Sequence, residues 1–314
     1  MVLFSLFTGS MAIFVYEYLG WKWVAIPWLP VSLVGTATAF FVGFKNNQSY
    51  DRSWEARKIW GSITNHSRSF AAALRGFAGT HSTAKGDMQG EIKTIIYRHI
   101  GWLYALKWAM RQRTNWEHRD RASKRQRMAL HKTHETFEEE IARYLSSEEV
   151  RWAQGKQNIA TQLLDRQSQH IGNLRARLLI DAYQHVDLQR HISSLYDEQG
   201  KSERIKNTPF PRQYATTSTL FIFVFLTLLP FGLLPQFVDL GERTMFLLIP
   251  FNLIVSWVFM FMEYVGDVSE NPFEGLLNDV PVQTIVRNIE IDLRDMLGEE
   301  NLPERIKPVA AALH

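Results

Sequence analysis

Histidine pairs and a run of carboxylates are the residues of this sequence best suited to bind a metal ion or transfer protons. His131 and His134 occur in the segment HKTHE, which is not the HExxH arrangement that holds zinc on one helix face. His185 and His191 are six residues apart, a poor spacing for one face of a helix. The glutamates at 138–140 form a charge run typical of a solvated helix face, and the absence of cysteine excludes thiolate nucleophiles and cysteine-based metal sites. We therefore predict neither an enzyme nor a metal or cofactor site.

An apolar segment at 31–44 carries two stripes of side chains at helical spacing. The first stripe consists of small residues that recur every four positions: Gly35, Ala39 and Gly43. Small residues let helix backbones approach closely in lipid, so this face is predicted to pack on neighbouring helices. The second stripe lies one position round the helix and contains two aromatic residues: Thr36, Phe40 and Phe44. Aromatic residues at this spacing usually face lipid or a protein core, so the pattern alone leaves lipid contact, core packing and pore lining open.

The segment at 45–60 turns abruptly polar, and neither glycine nor proline interrupts it. Lys45, Asn46 and Asn47 follow the apolar residues directly. We therefore predict one long helix that spans a bilayer and continues into water. A fixed register between an apolar and a polar half suits the wall of a conduit better than a membrane anchor, which needs no such register.

Four apolar segments, at 2–19, 23–44, 216–238 and 244–265, have about the length that a bilayer demands, roughly 20 residues. Pro27 and Pro30 are predicted to bend or end a short lead-in before the long helix. The predicted organisation is transmembrane helices 1 and 2 at 1–44, a helical cytosolic domain at 45–215, transmembrane helices 3 and 4 at 216–266, and a C-terminal cytosolic segment at 267–314. The predicted fold class is all-α.

The central insert shows apolar residues that recur at three and four positions over 47–77, 88–113, 134–154 and 156–200, which predicts helices. Loops are predicted at 82–87 and 200–202, where small and polar residues cluster. Pro209 and Pro211 forbid a helix between the insert and the third span.

The distribution of charge predicts which side of the membrane the insert occupies. Four spans place both termini and the insert on one side, and the short outer connections carry only Lys22 and Arg243 as cations. Because cytoplasmic loops hold the excess of Lys and Arg, the insert and both termini are predicted to be cytoplasmic. The formal net charge of +3 is too small to indicate nucleic-acid binding. We expect a multi-pass protein of the cell membrane, in contact with the lipid bilayer and not with nucleic acid.

Three polar side chains lie in or near the predicted spans. Asn252 is inside an apolar span, where an unpaired amide costs on the order of several kcal/mol, so a hydrogen bond to another helix is its expected role. Glu17 and Glu263 are close to span ends and are interpreted as boundary residues that reach the interface.

Several short segments carry a resemblance to a known family. They are GFKNN at 43–47, followed by Tyr50 and EAR at 55–57, then RIKNTPFP at 204–211, NPF at 271–273, NDVP at 278–281 and NIEIDL at 288–293. In this order and at these separations they resemble the bestrophin channel family, in its bacterial branch. The resemblance covers nearly the whole chain and points to the bacterial inner membrane.

The resemblance implies a homopentameric ion channel with its pore on the five-fold axis. Carried over by position, a narrow membrane neck falls on the second stripe: Thr36, Phe40 and Phe44. A second constriction, the cytosolic aperture, falls near Tyr183, on the helix expected over 170–200. Rings of Phe40 and Phe44 would form a hydrophobic gate that opens when the helices splay.

Calcium dependence is not expected. Animal members of the family bind calcium through a run of aspartates after Asn-Pro-Phe, whereas here only Glu274, Asn278 and Asp279 offer side-chain oxygens. A calcium ion takes six to eight oxygen ligands with several carboxylates among them.

The transported ions are predicted to be monovalent, with a preference for anions such as chloride. An aromatic ring has a positive edge, and tangential rings of Phe40 and Phe44 would present that edge to the ion. Lys45 adds positive charge if it faces the vestibule. Rings turned face-on would instead favour a cation, as would Asp51 and Glu55, and bacterial members of the family include cation channels. The alternatives are a cation-selective (sodium or potassium) channel of this family and a non-conducting, membrane-anchored helical scaffold.

Overall fold

Every regular element of the described chain is an α-helix or a short 3-10 turn. The computed structural model describes residues 2–77, 85–118, 120–130, 136–241 and 244–307, and His131, His134 and Arg243 lie outside these ranges. No strand occurs within them, which confirms the all-α fold class. In chain order the helices are α1 (Val2–Glu17), α2 (Trp28–Phe77), α3 (Lys85–Arg111), α4 (Arg121–Leu130), α5 (Phe137–Ile141), α6 (Ser147–Gln154), α7 (Ile159–Ala176), α8 (Ala182–Asn207), α9 (Arg212–Asp239), α10 (Leu248–Val268) and α11 (Val282–Met296).

The helix α2 is a single element of 50 residues. It begins directly after Pro27, and Pro30 lies in its first turn, where the missing N–H of proline has no helical partner to lose. At 1.5 Å per residue the helix is about 75 Å long, well beyond the roughly 30 Å of a bilayer core. The prediction of one helix that runs from the apolar segment into the polar one is confirmed.

Three stretches are long and apolar enough to cross a membrane: Lys22–Phe77, Arg212–Asp239 and Met245–Val268. The helix α1 is also apolar but has 16 residues. The span expected at 2–19 therefore stays a prediction, as does the total of four. Pro230 and Pro235 lie inside α9 without ending it.

The residues Met1–Arg52 and Pro209–Glu270 form the first compact unit. Two glycines let its helices approach closely: a Cβ added at Gly35 would lie 2.6 Å from Cε2 of Phe225, and one added at Gly232 would lie 2.7 Å from Cγ2 of Val31. Nδ2 of Asn252 donates a hydrogen bond of 2.8 Å to the backbone oxygen of Ser5. The interhelical hydrogen bond expected of this amide is confirmed.

The residues Ser53–Thr208 and Asn271–His314 form the second compact unit. Its core is built around α3, whose fully buried aliphatic side chains are Ile95, Ile96, Ile100, Leu103 and Leu106. The helices α5, α7, α8 and α11 pack on α3. Nε1 of Trp102, also on α3, donates a hydrogen bond of 2.9 Å to Oε1 of Gln199.

The prediction of one helix over 156–200 is wrong, because the structure has two helices there. Tyr183, which was placed on a helix over 170–200, lies on the second of them. The chain leaves α7 at Ala176, passes through Leu178 at a φ of 59°, and starts α8 at Ala182. Asp181 begins the second helix, because its side chain accepts a hydrogen bond from the N–H of Gln184.

Two further details of the insert differ from the prediction. The prediction of a loop at 200–202 is wrong, because α8 continues through Gly200. Within this part of the helix, Oγ of the buried Ser202 donates a hydrogen bond to the backbone oxygen of Glu198. The segment at 134–154 contains two short helices, because Ser146 caps α6 at its start. Of the loop expected at 82–87, residues 82–84 lie outside the described ranges and residues 85–87 belong to α3.

The close approach of α2 and α9 predicts opposite outcomes for two glycines of the small-residue stripe. Gly35→Ala forces a methyl group against Phe225 and should cost about 1–3 kcal/mol of folding free energy. Gly43→Ala should leave stability unchanged or slightly raised, because no atom lies within 4 Å of a Cβ added there. Thermal unfolding of both variants in detergent measures the difference. Equal midpoints would contradict the packing of α2 on α9.

Candidate functional site

One face of α2 is left uncovered by the rest of the chain. The buried positions of its first half lie on the opposite face and are Val31, Gly35, Thr38, Val42, Lys45 and Ser49. Phe40 is 79% exposed and Phe44 is 46% exposed, and Thr36 is exposed as well. Since four residues turn an α-helix by slightly more than a full circle, these three side chains form one continuous line. The structure thus brings the predicted neck residues together on a single open face.

The uncovered face carries both apolar and polar side chains. The exposed positions of α2 include the polar residues Thr36, Asn47 and Gln48. Polar side chains are exposed on α9 as well, among them Thr219 and Thr227. Exposed polar groups therefore do not by themselves set α2 apart from the other apolar helices.

The second stripe has few contacts inside the chain. Oγ1 of Thr36 donates a hydrogen bond of 2.9 Å to the backbone oxygen of Ser32, in its own helix. The ring of Phe44 lies 5.9 Å, centroid to centroid, from the ring of Tyr214 on α9. The ring of Phe40 extends from the helix surface and is 79% exposed.

The small-residue stripe divides along its length. Gly35 is buried against Phe225, Ala39 is half-buried, and Gly43 is exposed. Packing inside the chain therefore uses only the beginning of this stripe, and the end stays open to a neighbouring molecule.

Lys45 and Glu263 form a buried ion pair inside the first unit. Nζ of Lys45 lies 2.7 Å from Oε1 of Glu263, with side chains 2% and 13% exposed. The interpretation of Glu263 as a residue that reaches the interface is wrong, because a lysine 218 positions earlier in the chain engages its side chain. Lys45 was expected to add positive charge only if it faces the vestibule, and its side chain is buried. Glu17, by contrast, pairs with Lys22 at 3.3 Å with both side chains open to the surface.

Tyr183, predicted to line the cytosolic aperture, is 88% exposed and lies in the first turn of α8, within the second unit.

The two carboxylates expected to attract cations differ in their partners. In the second unit, Oε1 of Glu55 lies 2.6 Å from Nη2 of Arg204, so this carboxylate is paired. Asp51 of the first unit is exposed. Of the two carboxylates expected to attract cations, only Asp51 has no ion pair within the described part of the chain.

The loop at 271–281 supplies the oxygens considered for calcium, and other protein groups engage the carboxylates of Glu274 and Asp279. The Glu274 side chain is 1% exposed and accepts hydrogen bonds from Nδ2 of Asn271 at 2.8 Å and from the N–H of His118 at 3.2 Å. Nη1 of Arg127 lies 3.5 Å from Oε2 of Glu274. Oδ2 of Asp279 accepts hydrogen bonds from the N–H groups of residues 275 and 276. Sequence reasoning missed His118 and Arg127, which are about 150 positions away and carry no local signal.

Within the described ranges, no three acidic or histidine side chains are grouped to hold a metal ion. Asn278 is exposed, and its backbone oxygen accepts a hydrogen bond of 3.2 Å from Nη2 of Arg57. The three residues with candidate oxygens thus serve separate contacts inside the second unit.

The long helix and the apolar helices around its first half define an all-helical membrane protein. A family model described as Bacterial/Fungal Bestrophin protein matches residues 1–295. The chain belongs to the bestrophin family, and the resemblance carried by its short segments is confirmed.

Relatives of the chain have names that describe channels. It is 31% identical over 290 residues to a voltage-dependent anion channel-forming protein of Ralstonia nicotianae, which covers 89% of this chain and 83% of the relative. It is 26% identical over 293 residues to the voltage-dependent anion channel-forming protein YneE of Escherichia coli K12, covering 93% of this chain and 83% of that protein. At the level of the family, these relatives are channel proteins and not enzymes.

A solved structure shares the fold. The crystal structure of a bacterial bestrophin homolog from Klebsiella pneumoniae superimposes with a TM-score of 0.79 at 23% sequence identity, over 96% of this chain and 98% of that chain. At this identity the likeness establishes the helical architecture and no finer property.

Asp279 gives the loop at 271–281 a pH-dependent stability. Burial raises the pKa of its carboxyl from 3.8 to about 7, against the opposing influence of the Leu276 N–H and the Arg111 guanidinium. Because the folded-state pKa lies above the unfolded-state value, this group stabilises the fold fully below about pH 4. The contribution is lost as the pH rises to about 7.

The variant Asp279→Asn should remove this pH dependence, because an amide oxygen still accepts the backbone N–H groups and carries no charge. Relative to the wild type, the variant should gain about 2 kcal/mol or more of stability between about pH 5 and about pH 8. Denaturant unfolding in detergent at both pH values measures the gain. Asp295→Asn, at an exposed position of α11, is the matched control. An unchanged difference between Asp279→Asn and wild type at the two pH values would contradict the burial of an uncharged Asp279.

Proposed function

We propose that this protein is an anion channel of the cell membrane, conducting chloride or similar monovalent ions along the uncovered face of α2. The observation that carries the proposal is the line of exposed side chains formed by Thr36, Phe40 and Phe44. The relatives are named as anion channel-forming proteins, which supports a preference for anions over cations.

A single chain with three or four spans cannot enclose an axial pore, so the channel requires several copies of the chain. Closed cyclic symmetry provides such a ring, and a homopentamer is the assembly that we propose. Each copy would turn its uncovered α2 face towards the axis, where the exposed Phe40 rings of all copies would face one another. The open space beside Gly43 leaves room for a neighbouring copy.

In this assembly, rings of Phe40 and Phe44 form a hydrophobic neck. An apolar constriction excludes water when narrow, so small movements of α2 open or close it to ions. Tyr183, whose side chain is 88% exposed, is assigned to a second constriction on the cytoplasmic side. Both termini, the insert at 45–215 and the segment at 267–314 are placed in the cytoplasm.

The ion preference follows from what lines the neck. Residues 28–50 of α2 contain no carboxylate, and Lys45 is paired with Glu263, so this part of α2 brings no unpaired charge to the neck. Tangential phenyl rings present positive edges, which favour an anion with weak hydration. Exposed Asp51 supports the alternative, a cation-selective channel, if rings turn face-on.

The test is a bilayer recording of the purified protein under a potassium chloride gradient. The reversal potential should lie near the chloride equilibrium value, and Phe40→Ile should lose the anion preference while still conducting. Phe7→Ile is the matched control, since Phe7 is 65% exposed on α1 and lies outside the proposed neck.

Two results would contradict the proposal in different ways. A wild-type reversal potential near the potassium equilibrium value would assign a cation channel and overturn the anion preference. Wild-type protein that gives no current would overturn the channel and favour the membrane-anchored scaffold.

A further inference from the structure

A buried ion pair lies beside the proposed neck, where α2, α9 and α10 meet inside the first unit. Nζ of Lys45 on α2 lies 2.7 Å from Oε1 of Glu263 on α10. Oγ of Ser218 on α9 donates a hydrogen bond of 2.8 Å to Oε2 of Glu263, and Oγ1 of Thr219 lies 2.9 Å from Oε1. Each oxygen of the carboxylate therefore has a hydroxyl partner in addition to the cation.

The helices pack closely around this pair. A Cβ added at Gly266 would collide with Oδ1 of Asn46, the residue next to Lys45, and would be in ordinary contact with Cδ of Lys45 at 3.7 Å. The missing side chain at position 266 thus leaves space for the amide of Asn46 beside the pair. Charges taken out of water are costly unless they are paired and hydrogen-bonded, so loss of either partner leaves an uncompensated charge.

The pair is adjacent to the proposed constriction but does not face it. Lys45 follows Phe44 directly, and consecutive Cα atoms are about 3.8 Å apart. Phe44 lies on the uncovered face, whereas Lys45 is turned by about 100° and is 2% exposed. In an apolar surrounding a charge acts over several ångströms with little screening. An unpaired charge at this position would therefore change the energy of an ion in the neck.

We propose that Glu263 is a specificity-determining residue, which sets the ion preference of the neck by cancelling the charge of Lys45. This inference rests on the proposed function, and it concerns how the ion preference of the proposed neck is set. With the pair intact, the phenyl edges of Phe40 and Phe44 govern the preference. With either partner neutralised, the charge of the other partner governs the ion preference, and every subunit around the axis contributes one such charge.

The two partners therefore have opposite effects on selectivity. Glu263→Gln retains an acceptor for Ser218 and leaves Lys45 unpaired, so the anion-to-cation permeability ratio should rise by roughly fivefold or more. Lys45→Met keeps the stem and leaves Glu263 unpaired, so the same ratio should fall by a similar factor. A purely structural ion pair would lower stability in both variants without moving the ratio in opposite directions.

The experiment measures reversal potentials of both variants in planar bilayers under a potassium chloride gradient. The double variant Lys45→Met/Glu263→Gln carries neither charge and should return the ratio to the wild-type value. Glu17→Gln is the matched control, because that carboxylate pairs with Lys22 at the exposed surface. Where a single variant forms no channels, co-expression with the wild-type chain gives mixed channels, whose ratio should shift in the same direction.

The possible failures are distinguishable. If wild-type protein conducts and both single variants keep its permeability ratio, the role of Glu263 is overturned and the channel stands. The same holds if both variants shift the ratio in one direction. If wild-type protein gives no current, the proposed function and this inference are both overturned.

Discussion

The constraint on which the rest of the structure depends is the unbroken backbone of α2. A helix in lipid must satisfy its N–H and C=O groups within itself, and α2 does so from Trp28 to Phe77. One face of its first half is committed to packing, with Gly35 against Phe225 and Thr38, Val42 and Ser49 fully buried. A regular helix fixes the directions of all its side chains. Because this face packs against the rest of the chain, the opposite face, with the line from Thr36 to Phe44, is left exposed.

Polar groups within the first unit are used to hold helices to one another. Asn252 ties α10 to the backbone of α1 at Ser5, and the Lys45–Glu263 pair ties α2 to α10. Such contacts are favourable in an apolar surrounding because the alternative is an unsatisfied amide or an unpaired charge. Contacts on the buried face of α2 therefore help to hold the side chains of the proposed neck in place.

Sequence reasoning succeeded where the determining physics is local. The absence of glycine and proline over 45–60 and the change from apolar to polar residues at Lys45 were sufficient to predict α2 as one helix. The amide of Asn252 pointed to a hydrogen bond because a membrane offers few alternatives. The break between α7 and α8 was missed, because the apolar period continues across Leu178 while its backbone adopts a positive φ.

The continuation of α8 through Gly200 was also missed. Its neighbours Gln199 and Ser202 are buried, and their packing outweighs the weak helix propensity of the exposed glycine. The partners of Lys45 and Glu274 could not be predicted at all. They lie about 150 to 220 positions away, and an isolated charge gives no sign of what will neutralise it. The fold could thus be predicted from periodicity, whereas the electrostatics of the candidate site required the three-dimensional structure.

The most direct test of the central claim, that the line on α2 borders the ion path, uses the absence of cysteine from the sequence. Single cysteines at Thr36, Phe40 and Phe44 would be the only thiols, so a charged thiol-specific reagent modifies one chosen position during a bilayer recording. The account predicts that modification at each of the three changes the current, while the current through Phe7→Cys, on the exposed face of α1, stays constant in the same reagent. Currents that stay constant at all three positions, with labelling verified by mass spectrometry, would contradict the account and place the ion path elsewhere.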